Sequence, residues 1–262
     1  MEFTPGDQTR WKLVWSDDFD YEGLPDPSKW GYEEGFVRNN EMQFYTRARR
    51  ENARVEGGLL IIEGRKDSFP NPGYKVDSSN WKENREFVEY TSASLVSKID
   101  TGWKYCRIEV LAKLPDGKGV WPAIWTLGIN CPQVSWPACG EIDIMEFVGN
   151  WPGEIFGTIH YPTSEGAYEK QEGKLKDLDP HSDFHSYAIE WCPDRIDFFY
   201  DSHKYHTAWL DKAGAGVENP FRKPHYLILN LALGGSFGGE IEDDCFPQRY
   251  LIKHVSVYAH EQ

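Results

Sequence analysis

The chain has 262 residues, of which 40% are hydrophobic and 27% charged, an ordinary globular composition rather than a disordered one. Its formal net charge is −14 and its sequence pI is near 5.0, which disfavours nucleic acid and sulfated polysaccharides as partners and favours a neutral polymer. The densest basic run, Arg47–Arg49–Arg50, is short and interrupted. No apolar stretch approaches the roughly 18 residues a membrane-spanning helix requires, so no membrane contact is expected. A monomer is expected. Aromatic residues make up 15%, with 11 Trp, 14 Tyr and 14 Phe. Such rings favour strands and also stack on the C–H faces of sugars.

The chain opens Met1-Glu2-Phe3 and then turns polar. It shows no signal peptide, and residues 1–9 read as a flexible start. Trp11–Trp15 reads as a first strand. Leu59–Glu63 follows the Gly57-Gly58 turn as a buried strand. Between Cys106 and Lys113, Cys106, Ile108, Val110 and Ala112 point one way, and Arg107, Glu109 and Lys113 the other. Ser186–Trp191, Arg195–Tyr200, His225–Leu233 and Leu251–Tyr258 are further strands. Turn signals such as Pro115-Asp116-Gly117 and Asn150-Trp151-Pro152-Gly153 separate these segments. No segment of 12 or more residues shows a helical period. The expectation is one all-β domain over 1–262, a jelly-roll sandwich of two antiparallel sheets with an open cleft.

There are five cysteines, Cys106, Cys131, Cys139, Cys192 and Cys245, an odd number without a CxxC pair, so a thiolate zinc site is not expected. Cys131 and Cys139 flank a Pro-containing loop and could bridge. Isolated buried thiols are the expected state.

Chemistry concentrates in Gly140-Glu141-Ile142-Asp143-Ile144-Met145-Glu146-Phe147. On a strand Glu141 and Asp143 share a face. Glu146, five positions from Glu141, would face the core, and an unpaired buried carboxylate is costly. A β-bulge near Met145 restores the phase and brings all three acids to one side. On a helix Glu141 and Asp143 would lie about 200° apart. Neighbouring carboxylates raise one another's pKa, and glycoside hydrolysis needs one carboxylate ionised and one protonated. A calcium site or a solvated acidic strand is the competing reading, but calcium sites usually draw on loop carbonyls as well. Trp121 and Trp125, four apart, would share a face roughly 13 Å apart on a strand, which suits rings that stack on sugars along one chain. Trp136 precedes the acidic strand and can flank the bond being cut.

The acidic run resembles the active-site signature of glycoside hydrolase family 16, in the bulged form of the laminarinases. Further motifs support it in order: Trp15–Asp20, Asn39–Thr46, Gly119–Gly128, Gly157–His160, Leu229–Gly235 and Phe246–Gln248. The resemblance implies retaining endo-hydrolysis of β-1,3-glucan, with Glu141 as nucleophile, Glu146 as acid/base and Asp143 tuning Glu141. It implies that His160 bonds Asp143 or the sugar beyond the cut, and that Asn40, Arg85, Asn230 and Gln248 bind sugar hydroxyls. It also implies secretion. Mixed-linkage β-1,3-1,4-glucanase, transglycosylase and, from another class, a non-catalytic glucan-binding lectin are the alternatives. The lectins of this fold lack the catalytic glutamates, both present here.

Gly234–Gly239 lacks the following helix that a dinucleotide loop needs, and His181 and His185 precede a strand rather than lying on one helix face. No cofactor is expected. Family members often hold a structural calcium between an acid of the opening strand, here Asp18, and an Asp of the last. Here the latter position is Lys253, so this site is expected to be lost, with Lys253 taking the ion's place beside Asp18.

Overall fold

Residues alternating with a period of two build sheets, and two sheets each with one apolar face bury them against each other. The protein, a computed structural model, is described over residues 11–260 other than 99, 101, 164 and 178. The expected flexible start, 1–9, lies outside the described residues. The strands among the described residues are β1 (Trp11–Asp17), β2 (Trp30–Tyr32), β3 (Gln43–Tyr45), β4 (Ala53–Glu56), β5 (Leu59–Pro70), β6 (Phe87–Ser92), β7 (Ser94–Ser97), β8 (Cys106–Lys113), β9 (Val120–Gly128), β10 (Glu141–Phe147), β11 (Glu154–Pro162), β12 (Tyr168–Lys176), β13 (His185–Trp191), β14 (Arg195–Tyr200), β15 (His203–Trp209), β16 (His225–Leu233) and β17 (Gln248–His260).

One sheet runs β12-β11-β10-β9-β16-β7-β2. The other runs β15-β14-β13-β8-β17-β5-β6-β3, with β1 added to β17 and β4 to β5. Pairing is antiparallel except between β3 and β6. This is the expected jelly-roll sandwich. The alternation expected in β8 holds: Ile108, Val110 and Ala112 are buried, while Arg107 on the other face pairs with Glu109 and Glu190 at 2.6 and 3.0 Å. From the opposite sheet Ile124, Ile142, Leu227, Leu229 and Leu231 complete the same core. Each such side chain stabilises the fold by about 1.5–3 kcal/mol on burial. β12 was not foreseen. Its sequence, Tyr168-Glu169-Lys170-Gln171-Glu172-Gly173-Lys174-Leu175-Lys176, is polar on both faces, as an edge strand beside a wet cleft can be.

Two expectations change here. Cys131 and Cys139 form a disulfide rather than remaining isolated thiols, while Cys106, Cys192 and Cys245 are free. The bridge closes the loop that carries Trp136. Nor does Lys253 meet Asp18: both are exposed and no ion pair joins them. The buried acid of the opening strand is Asp17, which accepts from Trp30 Nε1 (2.8 Å) and Tyr21 OH (3.1 Å) and pairs with Lys29 (3.2 Å). The basic run is locally neutralised, Arg47 by Glu34 at 2.9 Å and Arg49 by Asp67 at 2.6 Å.

Candidate active site

The outer face of the seven-stranded sheet carries a cleft of about 350 Å³. Its lining includes Trp121, Ala123, Trp125 and Leu127 from β9, Glu141, Asp143 and Glu146 from β10, and Asn230 from β16. Gly140 opens β10 at φ +74°, and a Cβ there would stand 2.7 Å from Pro220, so glycine is required just before Glu141. Asp143 pairs with Trp125 of β9, but the next pair is Met145 with Ile124 and then Glu146 with Ala123. Against β11 the register likewise shifts between Asp143 and Glu146. The bulge therefore spans Ile144–Met145. Ile142, Ile144, Met145 and Phe147 all enter the core, and the three acids face the cleft.

Asp143 is 3% exposed, whereas Glu141 and Glu146 are half-buried. His160, directly across from Glu141 on β11, places Nε2 at 2.9 Å from Asp143 Oδ2 and 3.7 Å from Glu141 Oε1. Its Nδ1 meets Tyr168 OH at 2.7 Å. The Tyr168 ring stacks on His160 at 5.7 Å and meets Trp136 at a tilt at 5.1 Å, so the disulfide loop and β12 together wall one side. On the other, Trp121 Nε1 donates to Glu146 Oε1 at 2.9 Å, and the Trp121 ring meets Phe237 edge-on at 5.2 Å.

All three acids are pushed up. Burial and the Asp143 carboxylate raise Glu141 well above the usual range, with His160 and Arg38 pulling it back. Burial raises Asp143 to about 8, against Lys170 and a hydrogen bond with Glu141. Burial and Asp143 raise Glu146 to about 8, opposed by His160 and the Trp121 hydrogen bond. The cluster thus retains protons at neutral pH.

A polar chain supports the floor. Trp125 Nε1 donates to Asn230 Oδ1 at 2.7 Å, Asn230 Nδ2 donates to Tyr45 OH at 2.9 Å, and Gln43 Nε2 donates to buried Glu41 at 2.6 Å. The Arg38 guanidinium lies 4.8 Å over the Trp125 ring and is anchored by Glu33.

Trp121, Trp136, Asn230 and the three acids reach the cleft as expected, with His160 against the acids. Trp125 reaches it but is only 6% exposed, roofed by Arg38, so its ring is not an open platform. Asn40 is exposed beside the cleft, and it is Asn39 that lines it. Arg85 does not reach the cleft: it donates to the backbone oxygens of Glu41 (3.0 Å) and Asn40 (3.4 Å) and lies over Phe36, pinning the turn that carries Asn39. Gln248 lies in the other sheet and donates to Cys245 O at 2.5 Å. Sequence reasoning missed Arg38, Asn39, Glu41 and Tyr168. The first three adjoin the Asn39–Thr46 motif, which could have pointed to them. Tyr168 carried no such signal. His181 and His185 are held apart, His181 by Asp179 (3.1 Å) and Asp116 (3.4 Å), His185 by Asp201 (2.9 Å).

Carboxylates gathered in a sandwich cleft suit a glycoside hydrolase, and the chain belongs to glycosyl hydrolases family 16, whose pattern matches residues 41–244. It is 42% identical over 259 residues to a β-glucanase of Rhodothermus marinus, covering 95% of this chain and 85% of that one. The structure of the laminarinase from Rhodothermus marinus superposes with a TM-score of 0.81 over 96% of this chain and 98% of that one. A glucan endo-1,3-β-glucosidase of Cryptopygus antarcticus is 37% identical, covering 88% of this chain and 83% of that one. A structure described among endo-acting O-glycanases with which human gut bacteria initiate mucin breakdown has a TM-score of 0.88 and 36% identity, covering 98% and 93%. The family's general mechanism is retaining.

Because Glu146 has its pKa raised on folding, the folded state binds more protons than the unfolded chain between roughly pH 4 and 8, and stability falls as pH rises through that window. Glu146→Gln removes this cost. Its melting temperature should match the parent's near pH 4, exceed it by a widening margin up to about pH 8, and keep that margin above. Turnover should fall roughly 10²–10⁴-fold. Parallel melting profiles across pH would contradict the assignment.

Proposed function

We propose that the chain is an endo-acting β-1,3-glucanase of the laminarinase type. The observation that carries this is the Ile144–Met145 bulge, which turns Glu141, Asp143 and Glu146 onto one cleft face between Trp121 and Trp136. Glu141 attacks the anomeric carbon as the glycosidic C–O bond breaks, and Glu146 passes its proton to the leaving oxygen. Glu146 then takes a proton from water, which displaces Glu141 from the glycosyl-enzyme. Asp143 lies beside Glu141, and the hydrogen bond between the two carboxyls lets them share one proton. Burial and Asp143 oppose the ionisation of Glu141, and the contacts from His160 and Arg38 pull the other way, toward the ionised form that attacks. Trp121 and Trp136 offer faces to the sugars flanking the cut. The disulfide suits an oxidising compartment, which supports secretion.

One observation favours a second substrate. Arg38 covers Trp125 with hydrogen-bond donors where a glucan would find a flat ring. An O-glycan, the material named for the gut-bacterial neighbour, would suit such donors wherever one of its sugars presents an axial hydroxyl.

Proton NMR of fresh digests of laminarin, lichenan, agarose and released mucin O-glycans separates these. The β-1,3-glucan reading predicts rapid appearance of β-anomeric oligosaccharides from laminarin. Cleavage of O-glycans alone would move the substrate while preserving the mechanism, and preference for lichenan would indicate a mixed-linkage enzyme. Products longer than the starting oligosaccharides would indicate transglycosylation. Initial α-anomers would overturn retention, and folded protein that binds but cleaves nothing would indicate a lectin.

We infer that the structural calcium common in this family is not held here, since the last-strand position that would supply its carboxylate is Lys253. The melting temperature should therefore be indifferent to calcium and to chelator. A calcium-dependent rise would contradict this.

A further inference from the structure

Glu141, Asp143 and His160 each present one donor atom within 4.8 Å of the others, the one such group of three or more among the described residues. Two ligands bound to zinc at about 2.0–2.2 Å in a tetrahedron stand roughly 3.3 Å apart. The His160 Nε2 separations, 2.9 Å to Asp143 Oδ2 and 3.7 Å to Glu141 Oε1, bracket that value. Two independent features point to a ligand. Asp143 Oδ2 is buried and makes no hydrogen bond although His160 Nε2 lies 2.9 Å away, which leaves a lone pair for an ion. On the far side of the ring, Nδ1 meets Tyr168 OH at 2.7 Å, the outer partner that a metal-ligating histidine ordinarily has.

We propose that Glu141, Asp143 and His160 form a reversible inhibitory site for a divalent cation of the zinc class. One nitrogen and two carboxylates suit zinc. Calcium requires six to eight oxygens, and magnesium a near-ideal octahedron. The fourth position opens to the cleft. A bound ion engages the lone pairs of Glu141 that attack the sugar and stands where the anomeric carbon must come, so metal and substrate exclude each other. Lys170, the cation opposite His160 on β12, is held by Glu172 at 2.5 Å.

The test is calorimetric titration of the intact, chelator-treated protein with zinc chloride at pH 7.5. It reads binding directly and needs no cleavable substrate, so it is independent of the glucanase reading. One zinc per chain is expected, with calcium and magnesium silent. His160→Ala should weaken binding at least tenfold. Tyr168→Phe, which keeps the ring and removes the Nδ1 partner, should weaken it roughly tenfold. His181→Ala, at the remote histidine beside Asp116 and Asp179, should bind like the parent. Melting curves establish that each variant is folded. No heat and no shift in melting temperature at millimolar zinc would overturn the proposal. So would binding that survives His160→Ala, or binding lost in His181→Ala.

Discussion

The site depends on one electrostatic constraint: three carboxylates must share one face of a strand in a place where water is scarce. Burial and mutual repulsion oppose their ionisation, and the fold meets that opposition with a few specific contacts. The β10 bulge supplies the geometry at the cost of one unpaired residue in the ladder. His160 sits against Glu141 and Asp143, and Trp121 donates to Glu146. Protons do the rest. With Asp143 and Glu146 pushed to about 8 and Glu141 well above its usual range, the cluster at neutral pH keeps the proton that acid-assisted displacement requires. The instability built in by burial and the reactivity it produces have the same origin.

Around the acids the cleft is built asymmetrically. Toward β16 its floor is a chain of buried hydrogen bonds from Trp125 through Asn230 to Tyr45, with Glu41 and Gln43 beyond, roofed by Arg38. Every link lies out of water, so each is rigid and costly to break. Toward β12 the wall is an aromatic cluster of Trp136, Tyr168 and His160, carried on the disulfide-closed loop, the edge strand β12 and β11. Arg85, away from the cleft, holds the turn between Arg38 and Glu41 by its backbone oxygens. Along the Asn39–Thr46 motif, Asn39 and Glu41 line the cleft while Gln43 and Tyr45 support it from behind.

How much of this was legible in the sequence follows from which residues answer to one constraint and which to several. β8, β14 and β16 alternate or run apolar because one face must be buried, and their bounds matched the pattern. The bulge was legible because Glu146 would otherwise be a charge in the core. β12 was not: with solvent on one side and a wet cleft on the other, neither face calls for apolar residues, and Tyr168 went unseen with it. Trp125 is the opposite case. Spacing put it on the right face, but spacing carries no information about Arg38, which arrives from a distant turn to cover it. Arg85 and Gln248 show the limit of motif resemblance. The hydrogen bonds of each are spent on backbone oxygens, Arg85 behind the cleft turn and Gln248 in the other sheet. The Cys131–Cys139 bridge needed the loop's closure in space, which an odd cysteine count could not reveal.

The account stands on Glu141 being the atom donor to the anomeric carbon. The most direct measurement is mass spectrometry of the intact enzyme after incubation with a 2-deoxy-2-fluoro glycoside of a laminari-oligosaccharide, a donor that forms the glycosyl-enzyme and releases it slowly, followed by peptide mapping. The account predicts one glycosyl unit per chain, on Glu141, and none on the Glu141→Ser protein. A label on Glu146 would reverse the two roles. Turnover of laminarin by a protein that never carries the label would contradict double displacement at this site.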